Sequence, residues 1–252
     1  MTDIPTRSLT LFDPYSFRAR LQPALIALFP LAVGMFAWTA GQWPWASALW
    51  GLFGTAGGTY LLAILARRSG RVIEPRLWES WGGAPTTQLL RHRGRANPFM
   101  RARWHKALGK LRGATLPTAE EENADPKAAD LAYEDATKVA IGRTRDVRTY
   151  ALLFKENTSY GFCRNLYALR RLGVFAALLG LALAAIAAWH ASRTGAAQLI
   201  PWICFALNLG TLLVWLLRVD ADSVRIPAFA YAERLFEAID TPAPARAPRK
   251  KS

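Results

Sequence analysis

Only two cysteines, Cys163 and Cys204, and three histidines, His92, His105 and His190, occur among the 252 residues. Two thiols so placed make no disulfide framework, and histidines so scattered along the chain give no metal-ligand spacing. Catalytic motifs are missing too. There is no G-x-S-x-G, P-loop, G-x-G-x-x-G, H-E-x-x-H or pair of carboxylates in an apolar setting. The chain reads as a non-enzyme, with no cofactor implied. Charge is absent from four long stretches, Leu21 to Ala40, Ala46 to Ala66, Leu172 to Trp189 and Leu199 to Leu217, none of which contains Asp, Glu, Lys or Arg. Each is close to the ~20 residues a helix needs to cross ~30 Å of hydrocarbon. A cleaved signal peptide does not fit, because the first stretch is followed after a short turn by a second of full length.

What is present is basic. Lys and Arg number 32 against 18 Asp and Glu, a formal net charge of +14. Arg18 and Arg20 precede the first span, Arg67, Arg68 and Arg71 follow the second, Arg170 and Arg171 precede the third, and Arg218 follows the fourth. Of the two hairpin turns, Gly41 to Trp45 carries no charge and His190 to Gln198 carries only Arg193. The positive-inside rule then puts both turns outside and both termini in the cytoplasm, with Trp38, Trp43, Trp45, Trp189 and Trp202 as an outer aromatic belt. The expected architecture is an all-α membrane protein with two transmembrane hairpins and a mainly helical, basic cytoplasmic domain between them. Its segments are a cytoplasmic N-terminal stretch 1–20, hairpin 21–66, domain 67–171, hairpin 172–217, a C-terminal helix 218–240 and a disordered basic tail 241–252.

The basic excess lies in one half of the domain. Arg67 to Arg112 holds twelve Lys/Arg against Glu74 and Glu79, whereas Gly113 to Arg171 is balanced. Pro85-Thr86-Thr87 opens a short helix with Leu89 and Leu90, and Asn97-Pro98 is a cap with a first-position proline. Met100, Trp104, Ala107, Leu108 and Leu111 then share a helix face. Thr118-x-x-Glu121 has capping-box spacing, and Asp125-Pro126 opens a longer helix toward Arg145. Thr149 to Phe154 fits strand or helix. Asn157-Thr158-Ser159 reads as a break, after which a helix through Leu166 and Leu169 continues into the third span.

Arg91, Arg93, Arg95, Arg101, Arg103, Lys106, Lys110 and Arg112 lie in a segment without acid. Interleaved with Phe99, Trp104, His92 and His105, such a row can neutralise phosphates and stack on bases; alternatively it fixes topology and binds anionic lipid. Arg143, Arg145 and Arg164 with Tyr160, Phe162 and Asn165 form a second candidate. Its plainer reading pairs these arginines with Asp146 and Glu156. In the spans, Gly54-x-x-x-Gly58 and the face Gly173, Ala177, Gly180, Ala184, Ala187 allow close helix packing. Cys204, Asn208, Thr211 and Trp215 fall on one face of the fourth span, where Asn208 either bonds across helices or lines a pore. Pro30 is expected to kink the first span.

The stretch Leu77 to Arg93 (LWESWGGAPTTQLLRHR), with Leu116-Pro117-Thr118 and Tyr160 to Asn165 (YGFCRN), resembles a family of small bacterial four-span membrane proteins, and is similar to the membrane effectors of Hailong-type nucleotide-signalling antiviral systems. The resemblance implies an inner-membrane, homo-oligomeric channel. A nucleotidyltransferase partner would make its oligonucleotide signal, the cytoplasmic part would bind that signal, and opening would depolarise the cell. It carries over no catalytic residue. The alternative is a membrane scaffold that docks a cytoplasmic partner or anionic lipid.

Overall fold

A computed structural model describes residues 17–39, 63–196 and 199–241. Among these the chain is helical, with no strand. A π-helical turn, Phe17–Leu21, leads into α1 (Gln22–Thr39). Then follow α2 (63–80), α3 (Pro85–Leu90), α4 (Pro98–Arg112), α5 (Ala119–Ala124), α6 (Pro126–Arg143), α7 (Ala151–Ala168), α8 (Arg170–Thr194), α9 (Leu199–Leu217) and α10 (Ala221–Asp240). The described residues form two compact units, one within Met1–Glu74 and Thr158–Val224, the other within Pro75–Asn157 and Arg225–Ser252.

Three helices of the first unit are long and apolar enough to cross a membrane: Phe17–Thr39, Arg170–Thr194 and Leu199–Leu217. Most of the second expected span, with Gly54 and Gly58, lies outside the described residues, as do Trp43 and Trp45. Its last residues are described, and Ala63 and Ala66 pack with Ala24 and Ala27 of α1. The small-residue face of α8 makes a close backbone approach to α1. A Cβ on Gly34 would lie 2.5 Å from the Gly180 Cα, and one on Gly180 would meet Asn208 Oδ1 at 2.6 Å. Without Cβ atoms the two backbones can touch, which is how membrane helices associate when apolar burial offers no net drive. Gly173 leaves room for the ring of Trp215, and Pro30 sits inside α1 against Gly180.

In the second unit local signals set the helix ends. Asn97 Oδ1 accepts the Phe99 N–H at 2.9 Å, with Pro98 in the first turn, and Gly113 closes α4 at φ 75°, where a residue with Cβ is strained. Thr118 and Glu121 exchange both capping-box hydrogen bonds, at 2.8 and 3.2 Å. Asp125 caps α6 through the Lys127 and Ala128 N–H groups. The core gathers Leu89 and Leu90 of α3, Trp104 and Leu108 of α4, Tyr133, Ala136 and Ala140 of α6, Leu153 of α7, and Ala232, Leu235 and Phe236 of α10. Trp104 and Phe236 meet with ring centroids 5.4 Å apart. Burying each such large apolar side chain stabilises by about 1.5–3 kcal/mol. The C-terminal helix is therefore part of this core.

Two local expectations need correction. Asn157-Thr158-Ser159 does not break the chain: α7 runs through it, and Thr158 is buried. Tertiary burial here outweighs the weak helix propensity of those residues. Nor is the entry into the third span continuous. Leu169 interrupts it at φ −88°, ψ 0°, with its N–H shared between the Asn165 and Leu166 carbonyls at 3.2 and 3.1 Å.

Candidate functional site

The acid-free segment folds as the α3–α4 connection plus α4, and half of its eight cations are already in ion pairs. Arg91 forms a two-pronged pair with Asp130 on α6, both contacts at 2.7 Å, while its third nitrogen donates to the Gly82 carbonyl at 2.6 Å. Arg93 lies 3.6 Å from both Glu122 and Asp130. Arg103 pairs with Asp240 of α10 at 3.1 Å, and Arg112 with Asp135 at 2.6 Å. Arg101 donates to the Arg91 carbonyl at 3.3 Å. These groups tie α4 to α6 and α10, and a fork-shaped pair such as Arg91–Asp130 is a positional constraint as much as a charge.

Arg164, of the second candidate, is paired with Glu74 at 2.6 Å, and Glu74 also accepts the Tyr160 hydroxyl at 2.5 Å. Glu74 is a partner that the spacing along the chain did not suggest. Asp146 instead accepts from the Arg148 and Thr149 N–H groups and the Thr149 hydroxyl, so its oxygens face the start of α7. Asn165 reads no free ligand edge: its Nδ2 donates to the Ala19 carbonyl, in the π-turn, at 2.6 Å. Arg95, Lys106, Lys110, Arg143 and Arg145 are exposed and have no ion pair among the described residues.

Two depressions border this surface. One, of about 790 Å³, holds Arg103 and Arg234 beside Asp240 and Glu237, so its charge is balanced. The other, of about 560 Å³, lies along the C-terminal half of α4 and has Lys106 and Lys110 with no carboxylate in its lining.

Nothing in the order of residues marks a buried polar cluster at the root of α4. Glu122, between two exposed neighbours, is fully buried. Its carboxylate accepts the His92 N–H at 2.7 Å, the Arg93 N–H at 3.3 Å and the Tyr133 hydroxyl at 2.8 Å. Burial alone would raise its pKa, but these donors and the Arg93 charge hold it below the usual carboxylate value. Burial, then the bond to Glu122, raises the Tyr133 phenol. His92 and His105, which their spacing kept apart, stand with ring centroids 4.9 Å from each other. His105 Nε2 meets the Leu90 carbonyl at 2.7 Å, and burial lowers its pKa despite that bond. No group of three or more His, Cys, Asp or Glu side chains suited to a metal occurs among the described residues. The arrangement pins the Arg91–Arg93 backbone to α5 and α6, and one of its members, His105, also lines the smaller depression beside Lys106 and Lys110.

In the membrane helices Asn208 is fully buried, donates from Nδ2 to the Cys204 carbonyl at 3.1 Å, and has no hydrogen-bond partner for Oδ1. Thr211 donates to the Leu207 carbonyl of its own helix at 2.7 Å. Asn208 packs on Gly180, whereas Thr211 is partly exposed. Comparison with protein-family models, curated proteins and solved structures finds no match to the chain.

Proposed function

We propose that the chain is a four-span, inner-membrane effector that assembles into a homo-oligomeric channel and is gated by an anionic, nucleotide-derived ligand, the product of a partner nucleotidyltransferase in antiviral defence. The two hairpins, cytoplasmic termini and cytoplasmic basic unit follow from the arginine flanks and the uncharged turns. The observation that carries the gating reading is the composition of the basic unit's core. It takes Leu153 from α7, which precedes α8, and Ala232, Leu235 and Phe236 from α10, which follows α9. A ligand that rearranged this core would act on both chain ends of the α8–α9 hairpin. Ligand contacts come from cations left without carboxylates, Arg95, Arg143 and Arg145, rather than from the whole basic segment.

The test is conductance. Protein reconstituted in planar bilayers should pass current only when short oligonucleotides are added on the cytoplasmic side. Binding should weaken steeply as salt rises, because phosphate neutralisation releases counterions. Charge reversal by Arg95→Glu with Arg143→Glu and Arg145→Glu should remove both binding and current. Silence with every oligonucleotide tried, together with stable capture of one purified soluble partner, would overturn the channel in favour of a scaffold.

A further inference from the structure

Helix α4 has an outer face that lies outside the core, joined to the rest of its unit there through Arg103 and Asp240. Phe99, Arg103, Lys106 and Lys110 recur at intervals of four, three and four residues, which at about 100° per residue places them within an arc of roughly 60°. Trp104 and Leu108 fall on the opposite side, in the core. Phe99 is 81 % exposed, the most exposed of the large apolar side chains described, although Asn97 fixes the backbone on which it stands. Lys106 and Lys110 have no ion pair among the described residues, Arg95 precedes the helix on the same terms, and Asp240, bonded to Arg103, is the carboxylate that meets the stripe. A large ring held in water beside unpaired cations costs solvation and gives the fold nothing, so its place is explained by what covers it.

We infer that the face carrying Phe99, Arg103, Lys106 and Lys110 docks on the anionic surface of the bilayer, with the Phe99 ring among the lipid headgroups and the cations on their phosphates. This goes beyond the proposed channel and rests only on the cytoplasmic placement of the basic unit, not on gating. Three features favour lipid over a free polyanion. Phe99 lines neither of the two depressions, so neither encloses a base on its ring. Its unpaired stripe cations are lysines, point charges that suit a laterally mobile array of phosphates better than a fixed, two-pronged partner. Basic residues around an exposed aromatic are also what the negative potential of an anionic leaflet attracts. The docked face leaves Arg143 and Arg145 to a soluble ligand.

The experiment uses the full-length protein in nanodiscs of neutral lipid or of neutral lipid mixed with phosphatidylglycerol. A fluorophore is placed at Ala102→Cys, on the exposed flank of the stripe, or at Glu134→Cys, exposed on α6, in a background lacking Cys163 and Cys204. Nitroxide-bearing lipids should quench the label at 102 in anionic discs, much less in neutral ones, and the label at 134 in neither. Lys106→Gln and Lys110→Gln should each weaken docking by about fivefold, the worth of one basic residue near an anionic leaflet. Phe99→Ser should shift the label outward without changing helix content, since all three side chains are exposed. Equal quenching at both positions, or none at 102 in anionic discs, would overturn the inference. So would protection of the label by an added oligonucleotide in neutral discs, which would return the stripe to the soluble ligand; conductance is scored separately, so loss of docking leaves the channel proposal standing on its own test.

Discussion

Replacing Glu122 with glutamine should loosen the basic unit more than any change to its exposed arginines. The carboxylate is fully buried and receives three donors, two backbone N–H groups and the Tyr133 hydroxyl. Hydrogen bonds to a charged acceptor contribute about 1.5–3 kcal/mol each, and leaving buried partners unpaired costs more than the bonds are worth on average. Glutamine keeps the shape but turns one acceptor into an NH₂ that faces a donor, so a loss of about 3 kcal/mol is expected. That is roughly a hundredfold in an opening equilibrium. Amide exchange of the detergent-solubilised protein, read across Ala119–Arg143, measures it directly. The pH dependence follows from the direction of the shift. With its folded pKa held below the ordinary 4.5, Glu122 contributes stability that is present above about 4.5 and is lost as pH falls through the folded value. Parent protein should therefore lose protection on acidification below that point, and Glu122→Gln should show a flatter profile. A change of less than tenfold at neutral pH, or an unchanged acid limb, would refute the reading of Glu122 as the anchor of the α3–α4 connection.

Within the membrane helices, Gly180→Ala should lower thermal stability in detergent by about 1–3 kcal/mol through forced overpacking, because its Cβ would strike the Pro30 carbonyl and Asn208. Gly210→Ala, where a Cβ meets nothing within 4 Å, should stay within about 0.5 kcal/mol of the parent. Asn208→Ala, which removes the amide without adding bulk against Gly180, should lower detergent oligomer size only if Oδ1 takes a donor from another copy, and unchanged size would refute that contact. A cysteine at Thr194 should react with an impermeant reagent in intact cells and one at Asn123 should not, and the reverse pattern would remove the cytoplasmic placement of the basic unit.

Signals confined to a few residues were legible in the sequence. Asn97-Pro98, Thr118-x-x-Glu121 and Asp125-Pro126 start helices because each supplies its own acceptor to neighbouring N–H groups. The uncharged stretches declared three membrane-length helices by length and apolarity alone. Long-range partnership was not legible. Nothing in Glu120-Glu121-Glu122 distinguishes the third carboxylate from the two solvated ones until Tyr133 and the His92–Arg93 backbone close over it. Arg91 and Asp130 stand 39 residues apart, and Arg103 and Asp240 are 137 apart. One clue was available for α10: Phe229, Ala232, Leu235 and Phe236 make an apolar face that a solitary helix in water could not keep, so it required a partner.

Charge partition narrows what the basic unit offers a polyanion. By sequence the excess sits before Arg112 and the remainder of the domain is neutral, which suggests one broad cationic surface. Folding brings carboxylates from the neutral part and the C-terminal helix onto that surface: Asp130 and Glu122 meet Arg91 and Arg93, Asp135 meets Arg112, and Asp240 meets Arg103. The more exposed pairs, Arg103–Asp240 and Arg112–Asp135, contribute only about 0–1 kcal/mol each, so their consequence lies less in stability than in position. Together these contacts fix four guanidinium groups in place and cancel their field, leaving the unpaired charge on the outer face of α4 and at the end of α6. Any anion, lipid or nucleotide, is attracted to those residues first. A charge reversal at Arg91 or Arg93 would therefore report on folding, and one at Lys106 or Arg143 on binding.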